Sequence, residues 1–313
     1  MIHFTYLQKS GGASGHMLGE ICTTFVMASL MGGEAVYHDS WVKGNGSHSP
    51  HEFHKDFYYP NKQLIISEEA FKKNTTPLLE KYDHIHDIKG LTLWESASYD
   101  QYERTKNEIL ELAAKHENLL VRITDTYLIR FHIVYEWFRL KYFKEDRYTS
   151  HLIPQLHQLY YYDHEKLPIK NALAIHVRTG PLWNSLLKNA GFTCDYYTKI
   201  IEIFNKYFDI DINIYCENVN HNDVLKLNEL KNTTVNAGGF GELTTHFNEM
   251  CRSRFFFVSE CSLSLFVGYL SQGAHVLVDA KTKKARPNLW NHTDNLPNFV
   301  PFTDLEEGLK ALR

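Results

Sequence analysis

The chain has 313 residues, 43% of them hydrophobic and 22% charged, with a formal net charge of −4. That length holds two ordinary domains, and the composition is that of a folded globular chain and not a disordered one. A slightly acidic balance without a basic stripe excludes general nucleic-acid binding, and no stretch is long and apolar enough to span a bilayer.

The N-terminal half is irregular. Residues 2–7 read as a short strand, without the basic-then-apolar layout of a signal peptide. A glycine loop follows, then a helix through Met31 and a strand over 34–38. A loop rich in Gly, Ser, His and Asn covers 43–56. Helices are predicted at 67–73, 99–116 and 125–143, with a strand at 119–123. In the third helix Tyr127, Phe131, Tyr135, Phe138 and Tyr142 recur at helical spacing, which reads as core or domain interface. Residues 163–168 are the best linker candidate.

The C-terminal half alternates clearly. Strand-like runs at 172–178, 212–217, 233–236, 254–258 and 275–278 are separated by helical patterns at 195–208, 221–231, 242–252 and 262–271. Strands alternating with helices of that length argue for βαβ units and a parallel sheet with helices on both faces. The expected fold is therefore α/β, with two Rossmann-like domains, 1–165 and 166–313, facing across a cleft.

The five cysteines are odd in number and scattered, which reads as buried free thiols in a reducing compartment. Without a signal or anchor the expectation is a cytoplasmic enzyme, or a catalytic domain cut from its anchor. Among 18 histidines, His48, His51 and His54 are loosely spaced and His84 and His86 sit two apart. No Cys-x-x-Cys or His-Glu-x-x-His accompanies them, so they read as polar loops and no metal is expected. A Gly-x-x-x-x-Gly-Lys-Ser/Thr loop is absent, which excludes a P-loop nucleotidase.

Three constellations carry chemistry. Gly11-Gly12-Ala13-Ser14-Gly15-His16-Met17 follows a strand and opens a helix. Gly12 and Gly15 allow close backbone approach, and a helix N-terminus attracts anions. In Ala172-Leu173-Ala174-Ile175-His176-Val177-Arg178-Thr179-Gly180 an apolar run ends in His-x-Arg-x-Gly. Period two puts His176 and Arg178 on one side of that strand, and a cation there is costly unless an internal carboxylate or a bound phosphate pairs with it. In Val258-Ser259-Glu260-Cys261-Ser262-Leu263-Ser264, a Phe-rich strand ends in hydroxyls that open the next helix, with Ser262 as the expected N-cap.

In this order the three resemble the fucosyltransferase superfamily, inverting sugar-transfer enzymes built from two Rossmann-like domains in the GT-B arrangement. The central motif His176-Val177-Arg178-Thr179-Gly180 matches the family's His-x-Arg-x-Gly, and Gly12-Ala13-Ser14-Gly15-His16-Met17 stands where the family has Gly-x-x-Gly-Asn-Gln. Phe257 to Ser264, with its lead-in helix Phe247 to Ser253, resembles the late motif; residues 43–165 match no motif.

The resemblance implies a donor nucleotide sugar, a glycan acceptor and no cofactor or metal. Arg178 would grip the diphosphate. Ser262, Leu263 and Ser264, through hydroxyls and amides, would hold it from the other side. His176 would orient Arg178 or the nucleotide, and Glu217 falls where the family contacts base or ribose. His16, or alternatively Asp39 at the end of the second strand, would take the acceptor proton. Two positions depart from the pattern: Pro181 replaces the family's Asp, and His16 its Asn. GDP-fucose is the donor the resemblance implies. A UDP-pentose transferase and a non-catalytic sugar-binding protein of the same fold are the alternatives.

Overall fold

The computed structural model describes residues 1–6, 14–36, 81–89, 99–124, 160, 168–179, 191–216, 222–238, 242–259, 261–271, 274–285 and 298–313. The chain divides into two compact units, Met1–Glu165 and Lys166–Arg313. Each is α/β with an all-parallel sheet; for the second unit the alternation of strands and helices predicts it.

The first unit comprises β1 (Ile2–Tyr6), α1 (Ser14–Leu30), β2 (Glu34–Ala35), β3 (His84–Lys89), α2 (Tyr99–Lys115) and β4 (Leu119–Thr124), in sheet order β2-β1-β4-β3. Helix α1 packs on β1 and β2 and buries Leu18, Ile21, Cys22, Phe25 and Ala28, the stripe that a 3.6-residue period sets on one side. Gly32 ends it at φ 68°, and the Gly33 N–H donates to the Ala28 carbonyl at 2.8 Å, a Schellman turn. A Cβ on Gly33 would lie 2.7 Å from the Ile2 carbonyl oxygen, so the chain's return beside β1 requires glycine. His84 and His86, expected in a polar loop, lie instead in β3, which pairs with β4. There the Arg122 guanidinium grips both oxygens of Asp87 at 2.6 and 2.8 Å. The helices expected at 67–73 and 125–143 and the loop at 43–56 fall outside the described residues.

The second unit begins with β5 (Lys170–Val177), α3 (Cys194–Tyr207), β6 (Asp211–Cys216), α4 (Asn222–Leu225) and β7 (Thr233–Ala237). The helix expected over 221–231 is α4 followed by a 3-10 turn, Lys226–Glu229. Then come α5 (Leu243–Cys251), β8 (Ser253–Phe257), α6 (Ser262–Leu270), β9 (His275–Asp279), α7 (Ala280–Ala285), β10 (Phe299–Phe302) and α8 (Leu305–Ala311). The sheet order is β10-β9-β8-β5-β6-β7. The first strand of the unit is thus central; the next two step outward on one side and the last three on the other. That is the doubly wound order, whose direction reverses between β5 and β8.

Both faces of this sheet are covered. Leu173, Ile175, Val177, Ile212, Ile214 and Phe255 pack with Tyr197, Ile201 and Phe204 of α3 and Leu309 of α8. The alternate residues, among them Ala174, His176, Tyr215, Phe256 and Val276, face the side covered by α5 and α6. Each fully buried Ile or Phe contributes roughly 1.5–3 kcal/mol, which is why β5 and β8 read as nearly unbroken apolar runs. Among the described residues, no helix is long and apolar enough to cross a membrane. All five cysteines are free thiols, and Cys22, Cys216, Cys251 and Cys261 are buried.

Among the described residues, one buried imidazole has no hydrogen-bond partner. His3 in β1 meets the Tyr82 ring edge-on at 5.5 Å, and neither of its ring nitrogens has a hydrogen-bond partner. Burial holds this imidazole below its ordinary 6.5. The unfolded chain therefore takes up a proton here before the folded one does. Stability from His3 is present above about pH 6.5 and is lost as pH falls below it. Urea unfolding at about pH 7.5 and about pH 5.5 should show the loss, and His3→Leu should flatten it. An unchanged pH slope in that variant contradicts the assignment.

Candidate functional site

All six strands of the second unit are parallel, so their carboxyl ends share one edge, and ligands of doubly wound sheets bind at the point where strand order reverses. That point lies between β5 and β8. Arg178 follows the last residue of β5 and Ser259 stands two residues beyond β8. The two motifs that lie some 80 residues apart in sequence meet here.

They meet through a buried polar knot. His176 Nδ1 lies 3.0 Å from Ser259 Oγ, 3.0 Å from Ser264 Oγ and 3.3 Å from Cys261 Sγ. The Ser259 N–H donates to Ser264 Oγ at 3.1 Å, the two serine hydroxyls are 2.9 Å apart, and the Ser259 hydroxyl donates to Cys261 Sγ at 3.2 Å. Ser259 and Ser264 are 0% exposed and His176 is 3% exposed. Buried polar groups of this kind are costly unless each finds a partner, and here they partner one another.

The knot sets the start of α6. Cys261, not Ser262, is the N-cap residue, with extended backbone angles and no capping bond from its side chain. Ser264, three residues on, turns its hydroxyl back to the Ser259 N–H. Ser262 is the first helical residue, and Leu263 is buried in the interior. Arg178 is half-buried and makes no ion pair with any described residue. Of the two ways to accommodate a cation at an apolar strand end, the internal carboxylate is thus not found among the described residues.

The neighbouring strand ends are also occupied. At β9 the Asp279 carboxylate accepts the Tyr196 hydroxyl at 2.5 Å and the Thr282 N–H at 2.8 Å. Burial, with Asp279 beside it, holds the Tyr196 phenol well above its ordinary range. The Lys281 ammonium lies 4.3 Å from the Tyr196 ring centre and donates to the Gly191 carbonyl. On the other side, at β6 and β7, His246 of α5 lies over the Tyr215 ring at 5.2 Å, and its Nε2 is 4.0 Å from Glu242 Oε2. Burial lowers the His246 imidazole below its ordinary range; Glu242 pulls the other way, and a charge on His176 would lower it further.

No protein-family model and no curated protein matches the chain. Among solved structures, the E. coli heptosyltransferase WaaC with ADP aligns over 89% of this chain and 87% of that chain, at 12% identity and a TM-score of 0.42. A likeness that distant fixes neither the family nor the donor.

Of the residues singled out from sequence, His176, Arg178, Leu263 and Ser264, with the backbone of Ser262, come together at the β5–β8 edge. Gly15 and His16 lie in the first turn of α1, in the other unit. Gly12, Asp39 and Glu217 fall outside the described residues. No group of three or more His, Cys, Asp or Glu side chains among the described residues is placed to hold a metal ion. Sequence reasoning did not single out Glu242 and His246. It quoted Ser259 and Cys261 without giving them a role; their spacing from Ser264 was the available signal.

The knot generates a direct prediction. Ser264→Ala removes the partner of the Ser259 N–H and one partner of His176. It should destabilise the chain by about 1–3 kcal/mol, measured as a fall in the urea midpoint. An unchanged midpoint would mean that the hydroxyl is dispensable.

Proposed function

We propose that the chain transfers a sugar from a nucleotide-sugar donor to a hydroxyl of a glycan acceptor. The observation that carries this reading is the convergence of an Arg178 with no ion pair among the described residues, the first turn of α6 and the switch point of a doubly wound sheet. A planar guanidinium and the amides of a helix's first turn together suit a diphosphate better than any single charge.

In the proposed reaction the acceptor oxygen attacks the anomeric carbon from the face opposite the diphosphate. The new C–O bond forms as the anomeric C–O bond to phosphate breaks. The bonding pair leaves on the phosphate oxygen, and configuration inverts. Arg178 stabilises the charge that grows on the departing diphosphate. The acceptor proton passes to His16 or Asp39, and the acceptor is assigned to the unit Met1–Glu165. The resemblance of the three motifs to fucosyltransferases favours GDP-fucose as donor, with a UDP-pentose as the alternative where Pro181 replaces the family's Asp. Arg178 supplies the cation that a metal supplies elsewhere, so transfer is assigned as metal-independent.

Arg178→Ala should lower turnover by about a hundredfold or more and weaken nucleotide-sugar binding, with the circular-dichroism spectrum unchanged. Normal turnover in that variant, with GDP-fucose, UDP-xylose or any other donor the unmodified chain accepts, refutes the diphosphate clamp. Transfer by the unmodified chain should persist in excess EDTA. Loss of transfer there, restored by a divalent cation, overturns the metal-free assignment.

A further inference from the structure

At the carboxyl edge of the second unit, Asp279 and Glu242 offer a contrast. Both oxygens of Asp279 accept hydrogen bonds from within the protein. Among the described residues, Glu242 does not spend its carboxylate in this way. It is the N-cap residue of α5, yet its side chain makes no capping bond. Its one described contact is His246, at 4.0 Å, too long for a hydrogen bond, and the side chain is 65% exposed.

The position of this pair is built into the strand end. Gly238 follows β7, and a Cβ there would lie 2.3 Å from His246 Cε1 and 2.8 Å from Glu242 Oε2. Glycine is what lets the imidazole and the carboxylate close over the end of β7. Beneath them, Tyr215 is the register partner of His176 on the adjacent strand, and His176 is close enough to influence His246 electrostatically. The pair therefore stands over the ends of β6 and β7, on the side of β5 away from β8 and Ser264. A diphosphate held between Arg178 and α6 would direct one of its two substituents toward it.

We infer that Glu242 and His246 form a subsite for adjacent hydroxyls of a sugar ring, the ribose or the transferred sugar of the nucleotide sugar. A carboxylate accepts two O–H bonds at once, from neighbouring hydroxyls of one ring, and charge makes those bonds strong. An uncharged imidazole beside it offers one acceptor and one donor to the same ring. This subsite rests on the diphosphate reading of Arg178.

Calorimetric titration of the full chain separates the two ideas. The probes are pyrophosphate; ADP, GDP and UDP; their 2′,3′-dideoxy forms; and GDP-fucose and UDP-xylose. Glu242→Gln, an exposed and nearly isosteric change, should weaken the best-bound ribonucleoside diphosphate by about tenfold. Pyrophosphate and the dideoxy nucleotide should bind undiminished. A loss confined to the intact nucleotide sugars also supports the subsite and assigns its hydroxyls to the transferred sugar. Equal affinity of the variant and the unmodified chain for every ligand overturns the subsite; if Arg178→Ala still abolishes pyrophosphate binding, the diphosphate clamp stands. No binding of any of these probes to the unmodified chain overturns both.

Discussion

The tie between the ends of β5 and β8 is the constraint on which the second unit's chemistry depends. In a doubly wound sheet the crossovers part at the switch point, and nothing in the backbone ladder dictates what fills the gap beyond the last ladder pair. Here His176, Ser259, Cys261 and Ser264 fill it with hydrogen bonds among themselves. Aliphatic side chains could fill the same volume, but they would not impose direction. A knot of hydroxyls and one imidazole ties the end of β5, which carries Arg178, to the end of β8.

The division of labour across the sheet follows. The face packed by α3 and α8 is apolar at its centre and supplies cohesion, and its edge carboxylate, Asp279, is bound by Tyr196 of α3. The opposite face is apolar at its middle, with Ala174 and Phe256, and becomes polar toward its carboxyl edge, with His176 and the neighbouring His246 and Glu242. Cohesion and chemistry thus occupy different residues of the same strands, separated by the two-residue period.

Much of this was legible in the sequence, for a physical reason. Strands buried on both faces must be apolar at every position, so the run before Arg178 and the run of phenylalanines before Val258 read as strands without ambiguity. Strands at sheet edges lack that signal. His84–Lys89 has a polar residue at four of its six positions, and Phe299–Phe302 carries Pro301, which demotes a strand in sequence but is tolerated at an edge, where β10 pairs with β9. The residue types of the site were also legible, since Arg178 and the serines stand at strand and helix ends. Their convergence was not, because it depends on β8 and not only β6 lying beside β5, and strand order is a tertiary choice. Glu242 and His246 were hidden for a similar reason. They lie on a short helix whose inward face is set by packing on Tyr215 and by the missing side chain of Gly238.

The knot also links two quantities that are usually separable. Its members bond to one another within the protein, so the strand end that carries Arg178 is ordered when the unit folds and not when a ligand arrives. The conformational entropy of fixing that arginine's backbone belongs to folding, and association is relieved of it. Loosening the knot would return that entropy to the binding step. Resistance to unfolding and affinity for ligand are, at this one strand end, drawn from the same few hydrogen bonds.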